Sequence, residues 1–315
     1  MNSGRPFKSH QPDIHHRAEG LSAHLPPLMV AAERVAATVS QGVHGRRRVG
    51  QGETFWQFRR YEFGDSTQLI DWRQSAKSQP LYVRETEWEA AQSIWLWRDG
   101  SPSMDYRSSE NLPQKVERAD LLLLALASLL VRGGEHVALL GTGMPPATGR
   151  GILLRLWSMI EAQDRNKDRN KDRNKDLKTA IPPASLPAFE TLPRYGRVVL
   201  IGDFLSSLEE ARKAISMLAN QGLSGHIVQI IDPAEETLPF SGRVRFDGTE
   251  GEGEVLIGRV ESLRRDYLAE FQRHNFGLEA LARSFGWSYA VHHTDASPEA
   301  TLLALYLLLS QKNGH

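Results

Sequence analysis

The chain reads as an α/β protein: a doubly wound, mostly parallel sheet with helices on both faces, preceded by an N-terminal helix and a β-rich extension. Three observations predict this. Arg197 to Phe204 (RVVLIGDF) and His226 to Ile231 (HIVQII) are short, nearly continuous apolar runs, as strands buried on both faces require. Lys115 to Val131 is helical in pattern and apolar almost all round, which suits a helix packed on a sheet. Strand and helix patterns then alternate, the order of parallel strands joined by crossover helices.

Composition narrows the function classes. A chain of 315 residues is long enough to bury a full core. Its 38 acidic and 38 basic residues cancel, which argues against binding of nucleic acid or anionic membrane driven by net charge. There is no cysteine, so disulfides and thiolate metal sites are excluded and a cytoplasmic location is expected. The first residues carry no apolar signal segment, and the longest apolar run, Leu121 to Val131, is too short to cross a bilayer. Direct membrane insertion is therefore not expected.

Taken in order, residues 1–20 read as a disordered polar tail, with His15 and His16 solvated rather than metal-bound. Residues 21–90 form the extension, and 91–315 the α/β domain. Pro26 to Gln41 has helical spacing and a glycine stop at Gly42. Gly45 to Gly52, with Arg46, Arg47 and Arg48, reads as a solvated loop. Its glycines fit neither a phosphate-binding loop nor a dinucleotide fingerprint, so no nucleotide is expected. Thr54 to Tyr61 and Leu81 to Trp88 alternate as hairpin arms, with a turn at residues 62–65. The tryptophans at 56, 72, 88, 95 and 97 are expected to pack. Ser93 to Arg98 and Val137 to Leu140 are strands, and Ile152 to Gln163 is a helix.

The repeat DRNKDRNKDRNKD at residues 164–176 has no apolar residue. It reads as a low-complexity insertion, either a flexible loop or a charged extension of the preceding helix. Ser206 or Ser207 caps the helix Leu208 to Gln221. Arg243 to Asp247 and Glu254 to Ile257 make a hairpin. Leu263 to Phe285 is a long helix with an expected break near Gly277, and Ser288 to Thr294 is the last strand. His292 and His293 point to opposite faces of that strand. Ser297-Pro298 opens the final helix.

Arg60, Tyr61, Gly64, Asp65, Asp71, Trp72, Arg73, Arg84 and Glu85, followed by Asp99-Gly100-Ser101-Pro102-Ser103-Met104, form a joint pattern. It resembles the signature of the domain-of-unknown-function family DUF58 over roughly residues 25 to 310. The resemblance implies a von Willebrand factor A-like domain behind an N-terminal extension. It also implies a metal-ion-dependent adhesion site, in which Asp99, Ser101 and Ser103 bind Mg²⁺ or Mn²⁺ together with a second aspartate and a threonine. Asp203 stands where that aspartate belongs. Thr142 is the candidate threonine, with Thr179 and Thr191 as alternatives. In such a site a partner's carboxylate fills the open coordination position.

The residues themselves also admit a plainer reading, since Asp and Ser after a strand make turns and caps without any metal. Arg98, as a strand residue, is expected to point away from Asp99. The implied function is a non-enzymatic protein-interaction module. Its implied partners are a MoxR-type AAA+ ATPase and membrane-anchored proteins of the same system. The alternative is a metal-dependent hydrolase or phosphoryl-transfer enzyme using Asp99 and Asp203, against which no His or Lys is recognisably placed as a general base.

Overall fold

The computed structural model describes residues 26–44, 54–61, 70–77, 80–87, 92–174, 185–249 and 253–310. Its centre is a five-stranded sheet in the order β4-β3-β5-β6-β9, and every neighbouring pair is parallel. The strands are β3 (Ser93–Arg98), β4 (His136–Leu139), β5 (Arg197–Gly202), β6 (Ser224–Ile231) and β9 (Ser288–His293). From β3 the chain steps outward to β4, returns past β3 to β5, and then continues through β6 to β9. The winding direction therefore reverses between β3 and β5. The carboxyl ends of two such strands part to leave the crevice where ligands of open α/β sheets sit.

Alternating side chains feed two cores. Ile94, Leu96, Val199, Ile201, Val228 and Ile230 face one side. There they join α3 (Lys115–Arg132), α4 (Arg150–Asn174) and α8 (Pro298–Ser310) in one core, with α1 (Pro27–His44) packed on α3 and α8. Trp95, Trp97, Val198, Leu200 and Ile227 face the other side, against α5 (Leu208–Ala219) and α7 (Arg264–Ser284). The continuous apolar reading of these strands follows, because neither face meets water. Among the described residues, no helix is long and apolar enough to cross a membrane.

Two glycines let elements approach closely. A Cβ on Gly225 in β6 would lie 2.1 Å from ring atoms of Trp287, which is buried and donates to the Leu223 carbonyl at 3.2 Å. Gly225→Ala is expected to cost at least the ~1–3 kcal/mol typical of overpacking. Urea denaturation measures this, and a loss within error of zero would refute the close-approach account. A Cβ on Gly277 would lie 2.4 Å from Leu208 Cδ1. The expected break at Gly277 is thus corrected: α7 runs through it unbroken, and the glycine lets α5 lie close.

One other expectation is corrected, and two open alternatives are decided. Gly42 does not stop α1, which runs to His44. Of the two forms expected for the repeat, the structure has the helical extension: α4 runs to Asn174, and residues 175 and 176 lie outside the described set. Ser207, not Ser206, caps α5: its Oγ accepts the Glu210 amide at 3.3 Å, while Glu210 Oε2 accepts the Ser207 amide at 3.1 Å. The hairpin β7 (Val244–Asp247) with β8 (Glu254–Ile257) stands as read. So do the opposed histidines: buried His292 meets Thr301 Oγ1 at 2.9 Å, and His293 meets Glu236 at 2.8 Å. Residues 1–25 and 45–53, including His15, His16 and the triple arginine, lie outside the described residues.

In the extension, β1 (Thr54–Arg60) pairs antiparallel with β2 (Tyr82–Glu87). Asp71 caps a single helical turn, α2 (Trp72–Ser75), by accepting the Gln74 amide at 2.8 Å. The Asp71 amide donates to the Tyr82 carbonyl at 2.9 Å, and Ser75 Oγ accepts the Tyr82 amide at 2.9 Å. Asp71 therefore fastens α2 to β2. Trp72 is 64% exposed, which corrects the expectation that it packs. Arg60 and Arg73 are also exposed, and Tyr61 is half-buried. The backbones of Arg84 and Glu85 pair with Phe58 and Gln57. Gly64, Asp65 and Trp88 lie outside the described residues.

Candidate functional site

Asp99 and Asp203 each follow the last residue of a strand, on the two strands that flank the reversal. Both are buried. The Asp99 amide donates to the Ile201 carbonyl at 2.8 Å. A Cβ on Gly202 would come within 2.7 Å of Asp99 Cβ and 3.2 Å of its Oδ2, so the glycine is what lets the carboxylate lean over the end of β5. Asp99 Oδ1 accepts the Ser101 amide at 2.7 Å, and the hydroxyls of Ser101 and Ser103 lie 2.9 Å apart. A short 3-10 turn, Pro102–Asp105, follows.

Asp203 is aimed by a strained turn. Phe204, fully buried, has φ of 52°, a left-handed backbone that an aromatic residue adopts only at a cost. Three contacts hold the turn. Gln229 Nε2 donates to the Asp203 carbonyl at 3.0 Å. His274 Nε2 lies 2.7 Å from the Phe204 carbonyl. The Leu205 amide donates to Asp203 Oδ1 at 3.2 Å.

The remaining oxygen, Asp203 Oδ2, is taken by Lys115 Nζ at 2.9 Å. The same ammonium donates to Glu235 Oε1 at 2.6 Å and lies 5.9 Å from the centre of the Tyr106 ring. Lys115 is fully buried. Burial alone would push its pKa down, but the charges of Asp203 and Glu235, with their hydrogen bonds, more than offset this and hold it above its usual value. Glu235 belongs to α6 (Pro233–Thr237), and its Oε2 accepts the Asp232 amide at 2.8 Å. Burial raises the Glu235 carboxyl, although Lys115 pulls it down. One ammonium thus serves two carboxylates. Burial, followed by the charges of Asp232 and Glu235, pushes the Tyr106 hydroxyl up to about 12.

Arg98 behaves as strand alternation predicts. It lies on the α3 and α4 side, with Nε 2.8 Å from Asp120 Oδ1 and NH2 2.5 Å from Asp164 Oδ1. Burial opposes its charge, but Asp120 and Asp164 outweigh that and raise its pKa further. With one guanidinium for two acids, the more deeply buried carboxyl carries the excess. Burial lifts Asp120 to about 7 despite Arg98. Asp164 is the first residue of the repeat.

The residues present do not fit a complete divalent-metal shell. Asp203 offers its inward oxygen to Lys115. Thr142 is tied into its own loop, donating to the Leu139 carbonyl at 2.6 Å and accepting the Met144 amide at 3.4 Å. Thr191 is exposed, and Thr179 lies outside the described residues. Among the described residues, no group of three or more His, Asp or Glu side chains could hold a metal ion.

Lys115 and Glu235 were missed in the sequence. One signal was available for Lys115. A cation at the first residue of a helix opposes the helix dipole and so calls for an anionic partner. The sequence marks Glu235 only as the third helical residue of a capping box, Asp232-Pro233-Ala234-Glu235, and its approach to Lys115 depends on where β6 delivers α6.

Residues 57–276 match the family described as "Protein of unknown function DUF58". The chain belongs to the DUF58 family. This DUF58 protein is 25% identical over 276 residues to the uncharacterized protein Mb1516 of Mycobacterium bovis, covering 84% of this chain and 82% of that protein. The same figures hold for the uncharacterized protein Rv1480 of Mycobacterium tuberculosis. Among solved structures, the DUF58 chain is similar to conserved hypothetical protein BatB from Bacteroides thetaiotaomicron. There the identity is 14%, the TM-score is 0.36, and the match covers 70% of this chain and 98% of that one. An aerotolerance-related membrane protein from Bacteroides fragilis matches at 15% identity with a TM-score of 0.37, covering 69% and 98%.

Proposed function

We propose that this DUF58 protein is a von Willebrand A-like, non-enzymatic interaction module. It acts in the cytoplasm as a companion of a MoxR-type AAA+ ATPase in a chaperone-like or assembly role. Membrane-anchored proteins of the same system are further partners. The working surface is the rim around Asp99, Ser101 and Ser103 at the crevice between β3 and β5. The partner assignment rests on the family resemblance. The preference for binding over catalysis rests on one observation: the Lys115 ammonium is bonded to both Asp203 and Glu235. A lysine held protonated, with its carboxylate partners neutralised, is poorly placed to take or give a proton. The same contacts tie α3, the Asp203 turn and α6 together, and a preorganised rim suits recognition.

Capture of a purified MoxR-type ATPase by the wild type and by Asp99→Asn tests this reading. The variant keeps an acceptor for the Ser101 amide and removes the charge. Loss of capture with an unchanged circular dichroism spectrum is the expected result. Equal capture by both proteins would remove the rim from the interface. Turnover of phosphoesters in Mn²⁺ by the wild type, abolished in Asp99→Asn, would replace the reading with the hydrolase.

A further inference from the structure

We propose that the Lys115 ammonium is the resident cation of this site. It stands where a divalent ion would otherwise bridge the acids, and the native protein takes no metal there. Asp203 Oδ2 and Glu235 Oε1 converge on Nζ at 2.9 and 2.6 Å. A point within such reach of two carboxylate oxygens is the point a hard cation would occupy, since Mg²⁺ and Mn²⁺ seek oxygen ligands and keep waters in the remaining positions. Here that point holds a nitrogen delivered by the chain itself.

Both acids are fixed independently of Lys115. The Asp203 carboxylate is held through Oδ1 by the Leu205 amide, and its carbonyl is held by Gln229. Glu235 is held through Oε2 by the Asp232 amide. The two oxygens therefore keep their aim when the lysine is removed.

The inference goes beyond the interaction reading and does not depend on it. Its test involves no partner protein, so failure here leaves that reading standing. Wild type, Lys115→Ala and Lys115→Ala/Asp203→Asn are titrated with MgCl₂ and MnCl₂ by calorimetry, and their melting temperatures are compared in EDTA and in millimolar Mn²⁺. The wild type is expected to give no saturable heat and an unchanged melting temperature. Lys115→Ala is expected to melt lower in EDTA and to regain several degrees in Mn²⁺, as a ligand bound only by the folded state requires. The double variant is expected to regain nothing. Saturable wild-type binding that is lost in Asp99→Asn would overturn the proposal. Indifference of Lys115→Ala to both metals would overturn it equally. Should Lys115→Ala fail to fold, the wild-type titration decides alone.

Discussion

Lys115→Met is expected to destabilise the protein by about 3–5 kcal/mol at neutral pH, the range for breaking a buried ion pair by removing one partner. Methionine nearly preserves the length and volume of the side chain, so the loss reports charge rather than a cavity. The variant leaves Asp203 and Glu235 facing each other across a water-poor space with no counter-charge. Two consequences follow for pH. The native Lys115 pKa is raised, so its contribution is complete below the ordinary lysine range and is lost as pH rises through the folded value. In the variant the penalty shrinks on acidification, because Glu235, already raised by burial, takes up a proton and ceases to repel Asp203. Urea denaturation across neutral and mildly acidic pH measures both, with an unchanged m-value indicating that the folded state stays compact. A loss of a few tenths of a kcal/mol at neutral pH would mean that the acids reach water and that the cluster is not a closed site.

The sheet was legible in the sequence because its strands are buried on both faces, and burial leaves a local mark. Ser93 to Arg98 is read and observed with the same ends, and Asp99 and Asp203 stand at strand ends as expected. Their placement on neighbouring strands was also legible in part, since a parallel sheet wound both ways has a reversal somewhere. What was not legible was the occupant of the crevice. Lys115 looks like the first residue of an apolar helix, and Glu235 lies 120 positions away from it along the chain. Only the packing of α3 beneath the turn and of α6 over it brings the two together. Glycines misled in the opposite way. Gly42 read as a stop and Gly277 as a break, yet a helical glycine costs only about 1 kcal/mol relative to alanine. At Gly277 the close approach of Leu208 explains its presence.

The cluster on the other side of β3 shows how the repeat joins the body of the protein. Asp164, half-buried at the start of the repeat, is the outer member of a triad whose inner members are Arg98 and Asp120. The low-complexity segment is therefore anchored at its first residue, where α4 passes from its apolar part into the repeat. Because Asp164 is 40% exposed at its side chain, its pairing with Arg98 is screened by water and is worth far less than the pairing with Asp120, which is 8% exposed.

Arg98→Met should therefore be among the most damaging single substitutions, costing about 3–5 kcal/mol at about pH 8, because it leaves Asp120 buried without its cation. The pH dependence identifies the cause. In the native protein, burial holds the Asp120 carboxyl at about 7, so the folded state keeps a proton that the unfolded chain has already lost. That group accordingly subtracts stability as pH rises from the ordinary carboxylate range to about 7. Removing Arg98 removes an attraction that lowers this value and carries it higher. The variant should then be nearly normal where Asp120 is protonated in both proteins and increasingly unstable above neutrality. Asp120→Asn in the Arg98→Met background should recover most of the loss at high pH, since it removes the charge and keeps the shape. Asp164→Ala should change stability by less than about 1 kcal/mol, as expected for a half-exposed pair. A flat pH profile for Arg98→Met, or a double variant no more stable than the single, would assign the loss to packing of the arginine stem and not to the stranded carboxylate.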